Sequence, residues 1–266
     1  MMARSGSAKG RSGDGAPAIT LDELVARLRQ VHEADLRAVV LYGSAATGEH
    51  VAARSDYNVL VLVERLPVAR LHAEAETMRE WMRGGNAPPL TLTVAEWQAS
   101  ADVFPMEYSD ILARHRVLFG VPPFEHTSVR PEDLRLELER EAMGKLIQLR
   151  QGILATGGEP AREAELLARA FGTFMAIFRG LLRLHGEEPA ADHAAVARAA
   201  GARAGFDPAP FLRVHEHRTG RRALTDAETA AVVDGYVQGA ERLAAHVDAE
   251  WRAAEGRADA GLGART

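Results

Sequence analysis

Residues 36–63, LRAVVLYGSAATGEHVAARSDYNVLVLV, decide the fold of this chain. Leu36–Tyr42 and Tyr57–Val63 are short Val- and Leu-rich runs without polar alternation, the pattern of strands covered on both faces. The connection between them, GSAATGEHVAARSD, is small and polar. A glycine at a strand end lets backbone approach an anion closely, and the Ser44 hydroxyl, with N–H groups at a following helix start, can hold phosphate oxygens. A carboxylate at the head of the adjacent strand, Asp56, can then fix Mg²⁺ against those phosphates.

Upstream, Thr20 and Glu23 have capping-box spacing, and Leu21, Leu24, Val25 and Leu28 recur at helical intervals, which predicts a helix over 21–32. Downstream, Val68–Met82 is amphipathic and stops at Gly84–Gly85–Asn86. Leu90–Val94 reads as a third strand, Thr93 to Glu96 repeats the capping box before Trp97, and Arg116–Phe119 reads as a last strand. The segment ADVFPMEYSDI mixes a proline with aromatics and gives no clear period. From Pro131 the pattern is purely helical. One helix runs from Pro131 to the Gly157–Gly158 stop and a second over 161–185, with later starts at Asp207–Pro208 and at the Thr225 to Glu228 box. The expected organisation is a tail at 1–17, an α/β domain at 18–122, a helical bundle at 130–255 and a second tail at 256–266.

The 266 residues are 47% hydrophobic and 26% charged, enough for packed cores, and the absence of cysteine excludes disulfides, thiolate metal sites and cysteine nucleophiles. A formal charge of −5 gives no reason to invoke nucleic acid as a partner. No apolar run approaches the ~20 residues that span a bilayer, and the first residues carry no apolar signal segment, so the reading is of a soluble, cytoplasmic protein with no membrane partner.

Tyr42–Gly43–Ser44, followed by Asp56 after 11 intervening residues, resembles the nucleotidyltransferase superfamily, of which the kanamycin and streptomycin nucleotidyltransferases are members. The resemblance covers roughly 20–120 and is strong over 36–63. It implies an α+β class: a nucleotidyltransferase-like mixed sheet with flanking helices, followed by an all-α bundle. It also implies in-line transfer of a nucleoside monophosphate from ATP or another NTP to a hydroxyl of a small molecule or protein, with Mg²⁺ carried on Asp56 and the position two residues on. By the same resemblance Gly43 and Ser44 cradle phosphates and Asp56 is the catalytic carboxylate.

The family's acidic triad is degenerate in this chain. Asn58 stands at the second acidic position, where it offers a neutral carbonyl oxygen to a metal that prefers carboxylates and phosphates. Thr91, in PLTLTV, stands at the apparent third, and an ordinary hydroxyl is no general base at neutral pH. Metal binding is therefore expected to be weak or absent. Glu49, Asp102, Glu107 and Asp110 are the carboxylates that could substitute. Lys145 is one of only two lysines in an arginine-rich chain and is a candidate phosphate contact as a flexible point charge. Two other readings stay open at this level. One is a catalytically inactive nucleotide-binding or regulatory module. The other is a toxin–antitoxin-type partner with a HEPN-like bundle, suggested by the spacing of Arg179 and His185, a spacing that the many arginines and ten histidines also produce by chance.

Overall fold

A computed structural model of the chain describes residues 19–47 and 57–263, with no account of the side chains of Ser44, Thr47 and 250–263. Asp56 and Glu49 therefore lie outside the described residues, as does the segment 1–17.

The chain divides at Arg130/Pro131 into two compact units. In the first, α1 (Leu21–His32) starts as its sequence predicts. The Thr20 hydroxyl accepts from the Glu23 backbone N–H while the Glu23 carboxylate accepts from Thr20, the reciprocal bond pair of a capping box. Strand β1 (Leu36–Tyr42) runs into a short 3₁₀ turn, Gly43–Thr47, and β2 is Asn58–Val63. Helix α2 (Val68–Arg83) ends on Gly84, and β3 (Leu90–Thr93) hands directly to α3 (Val94–Ala99), whose capping box is Thr93 with Glu96. The unreadable segment is a helix, α4 (Pro105–Ala113), with proline in its first turn, where a missing N–H costs nothing. Strand β4 (His115–Gly120) closes the sheet.

The sheet order is β3-β2-β1-β4, with β1 antiparallel to both β2 and β4 and β2 parallel to β3. It is a mixed sheet with helices on both faces. Val39, Leu41, Val59, Val61 and Val63 pack with Leu24 and Leu28 of α1 and Trp81 of α2. Ala38, Val40, Leu60 and Leu62 pack with Trp97, Tyr108 and Ile111 of α3 and α4. Burial on both faces is why β1 and β2 read as unbroken apolar runs. Between α1 and α2 the buried His32 Nε2 meets the Glu74 carboxylate.

The second unit is helical: α5 (Pro131–Thr156), α6 (Pro160–Leu184), α7 (His193–Ala204), α8 (Ala209–Thr219) and α9 (Asp226–Gly263). Its core is aromatic. Phe174, Phe178 and Phe211 are mutual neighbours with centroids 5.0–6.3 Å apart, and Tyr236 of α9 lies 4.1 Å from Phe211. Helix α7, capped by the Asp192 side chain on the Ala195 N–H at 2.8 Å, has no counterpart in the sequence reading. Helix α9 continues to Gly263, through residues 256–263 whose small, polar composition reads as a tail. No described helix is long and apolar enough to cross a membrane.

Candidate functional site

At the end of the sheet the structure brings Gly43 and Asn58 together. Gly43 has φ +73°, in the left-handed region, and a Cβ built there would stand 3.1 Å from the Asn58 amide nitrogen. The conformation favours glycine, and a Cβ would also press on the Asn58 side chain, which would have to give by a few tenths of an ångström. The Gly43 N–H donates to the Arg114 carbonyl at 3.2 Å, so this N–H is engaged within the fold. Asn58 is held in turn by its neighbour. The Tyr57 N–H donates to Asn86 Oδ1 at 3.2 Å, and the Tyr57 ring stacks on Trp81 with centroids 5.8 Å apart.

Pairing places three residues in one row across the sheet. Tyr42 is opposite Asn58 on β2 and opposite His115 on β4. Directly paired residues share a face, and Tyr42 packs with the α3/α4 side, so Asn58, Tyr42 and His115 all belong to that face. His115 Nδ1 donates to the carbonyls of Ile111 and Leu112 at 2.9 and 3.2 Å, since a carbonyl can only accept, and this leaves Nε2 as the basic nitrogen. The Phe124 ring meets the imidazole edge-on at 4.9 Å. Beneath the row an aromatic stack fixes α3 to α4. Trp97 and Tyr108 lie 4.1 Å apart, the Tyr108 hydroxyl donates to the Trp97 carbonyl at 2.8 Å, and burial pushes the phenol up to about 12.

Thr91 is not part of this group. It pairs with Val61, three residues along β2 from Asn58, which is about 10 Å at strand rise, and it has the opposite parity, on the α1/α2 face. Thr91 is the apparent third acidic position in the sequence reading, but the register of the parallel pair turns it away from Asn58. The candidate substitutes separate clearly. Asp110 lies in the last turn of α4, and its carbonyl accepts from the Arg114 N–H at 3.1 Å, while Arg114 holds Gly43. Glu107 lies one turn earlier, and Asp102 lies in the α3–α4 connection, close enough to Tyr108 to act on its phenol. Asp110 is thus tied to the Gly43 turn through two consecutive backbone hydrogen bonds.

In the second unit, Lys145 donates to Gln148 Oε1 at 2.9 Å on its own helix. Arg179 and His185 go to different neighbours: Arg179 acts on His193, and the His185 ring lies 5.8 Å from that of His246. A cluster that sequence reading missed forms where α6, α7 and α8 meet. His193 and His215 have ring centroids 5.5 Å apart, both rings contact Phe171, and the Arg218 guanidinium lies 5.0 Å over the same Phe171 ring. Burial holds the His193 imidazole down to about 4, reinforced by Arg179, His215 and Arg218 and opposed by Asp192. His215 is lowered as well, by burial first and then by Arg221. Its members come from three helices, and only the pair His215 and His217 of VHEHR stands out locally. His217 is occupied differently, its Nδ1 accepting from the Leu224 N–H at 3.1 Å.

Among the described residues no group of three His, Asp or Glu side chains is placed to hold a metal ion. Asn58 would give a cation one neutral oxygen, a poor donor set for Mg²⁺.

No family model matches the chain, and no curated protein matches it in sequence. Solved structures do resemble it in fold. One is the spectinomycin adenyltransferase AAD(9) from Enterococcus faecialis, whose crystal structure holds ATP and spectinomycin. It superposes with a TM-score of 0.56 at 11% identity, over 84% of this chain and 97% of that one. At that identity the likeness is one of fold.

Proposed function

We propose that the Gly43 end of the sheet binds a nucleoside triphosphate, ATP in the first instance, and transfers its nucleoside monophosphate to a hydroxyl of a small molecule. The acceptor oxygen would attack the α-phosphorus, the bond to the bridging oxygen of pyrophosphate would break, and the hydroxyl proton would pass to a base. The observation that carries the reading is the contact between a positive-φ glycine at the end of β1 and the polar head of β2, in a fold shared with an enzyme crystallised with ATP. With Asn58 neutral and Thr91 turned away, the candidate acidic groups are Asp56 and Glu49, outside the described residues, and Asp102, Glu107 and Asp110, of which the Asp110 backbone is joined to the Gly43 turn through Arg114. Mg²⁺ would depend on these and on the triphosphate itself, so we derive no step through the ion.

The neutral Asn58 also supports a second reading, a module that keeps nucleotide affinity without turnover. Calorimetric titration with ATP, with and without Mg²⁺, together with pyrophosphate release over a panel of hydroxyl acceptors, separates the two. In the enzyme, turnover disappears in Asp56→Ala and, if Asp110 is the positioned acid or base, falls at least about a hundredfold in Asp110→Asn. In the inactive module, wild type binds ATP without turnover and Asn58→Asp gains metal-linked affinity. Absence of ATP binding in wild type and in Asn58→Asp alike refutes both.

A further inference from the structure

The outer face of α5 carries four exposed apolar side chains: Leu136 at 62% exposure, Met143 at 47%, Ile147 at 46% and Leu154 at 83%. Steps of seven, four and seven residues align them in a single stripe along the helix. The stripe is not a displaced part of the bundle core, because α5 buries a separate set, Leu134, Leu138, Ala142, Leu146 and Leu149. A helix with an apolar stripe on each side has one side left to cover.

The stripe reads the same from both ends. Leu136 and Leu154 are equidistant from residue 145, and so are Met143 and Ile147. That symmetry is what an isologous twofold contact requires, since each side chain must meet a counterpart at the mirror position of the same patch. We propose that α5 is the interface of a homodimer in which two copies pack their helices antiparallel, Leu136 against Leu154 and Met143 against Ile147 of the second copy. The flanks fit the same register. Glu139 and Arg150 lie on one flank and come within one residue of level across the pair, an offset of about 1.5 Å along the axis, twice by symmetry, while on the other flank Arg140 comes equally close to Gln151. Gly144 leaves that second flank open, since a Cβ there would meet nothing within 4 Å. The exposed parts of the four apolar side chains come to roughly 500 Å² per copy, so the pair buries on the order of 1,000 Å², the size at which specific interfaces begin. Glu139 and Arg150 are each already held near the flank within their own chain, by Arg135 at 3.5 Å and Glu241 at 2.6 Å, which lowers the ordering cost of the cross-pairs.

The test is sedimentation of the full chain over about 1–100 µM, with Met143→Glu and Ile147→Glu as variants and circular dichroism melting curves as the control for folding. Wild type is expected to dimerise, and each variant to raise the dimer dissociation constant at least about tenfold, because each inserts an unpaired charge into the apolar centre. The cysteine-free chain allows the register to be read directly. Met143→Cys and Ile147→Cys chains, one carrying a size tag, are mixed and oxidised, and the expected product is the mixed disulfide. A wild type that stays monomeric at about 100 µM overturns the proposal, as do homodisulfides in place of the mixed product. So does a monomer whose stripe variants change only co-sedimentation with phosphatidylcholine/phosphatidylglycerol vesicles, which would assign the face to a lipid surface.

Discussion

Lowering the pH from 7 to 5 is expected to destabilise the helical unit through His193. In the folded chain its imidazole is held down to about 4, against an ordinary value of 6.5. Burial is the first cause, and the Arg179, His215 and Arg218 charges, from α6 and α8, add to it against the single opposing carboxylate of Asp192. The folded state therefore binds fewer protons than the unfolded one between these two values. Stability is complete above about 6.5, falls as the pH drops, and stops falling below about 4, where both states are protonated. Integrated from pH 7 to 5, a shift of this size corresponds to about 2 kcal/mol. His215 acts in the same direction, whereas Asp192, whose carboxyl is held below its usual value of 3.8, titrates beneath this window. Urea unfolding followed by circular dichroism at the two pH values, on wild type and His193→Gln, measures the difference. Wild type should lose about 2 kcal/mol more than the variant. In Arg179→Ala the loss should shrink only in part, since burial remains. Equal losses in wild type and His193→Gln would refute the argument.

Three further outcomes follow from local geometry. Gly120→Ala is expected to cost about 3 kcal/mol or more in unfolding free energy, because Gly120 has φ +71° and a Cβ there would fall 1.9 Å from the Arg37 carbonyl, a backbone atom that moves only if β1 and β4 part. Gly43→Ala, with positive φ and a 3.1 Å approach to a side-chain amide, should cost about 1–2 kcal/mol while weakening ATP binding in the same calorimetric titration more than that loss of stability accounts for. Thr20→Ala removes the hydroxyl that accepts from Glu23 and leaves α1 with an uncapped first turn, so chemical denaturation should show a loss of about 1 kcal/mol.

Elements whose signal is local were legible in the sequence. The capping boxes at Thr20 and Thr93, the glycine stop after α2 and the unbroken apolar runs of β1 and β2 each depend on residues within one turn or one strand. Helix α4 escaped because Phe104, Pro105 and Tyr108 read as an irregular segment, and the stack of Tyr108 on Trp97 that stabilises it joins two helices. Helix α7 escaped because its buried positions are mostly alanine and glycine, which give no hydrophobic period. The Asp192 cap that starts it was present in the sequence all along.

The candidate site divides along the same line. Gly43 and Asn58 belong to one strand–turn–strand segment, and the structure brings them together. Thr91 matches a motif only by its local sequence, whereas its partner is decided by the register of β2 with β3, and a shift of one residue in that register exchanges the faces of the sheet. The same dependence holds for His115, which the sequence alone offers as a structural or surface residue of the last strand. Its place in a row with Tyr42 and Asn58 follows from the β1–β4 pairing, in which a bulge between Val39 and Val40 resets which residues lie opposite. A site made from strand ends is thus readable only as far as the register is known. On the proposed reading, a carboxylate acting beside Asn58 is to be sought among the groups that strand pairing and helix ends bring to Gly43, and the Asp110→Asn variant tests the candidate whose backbone is joined to that turn through Arg114.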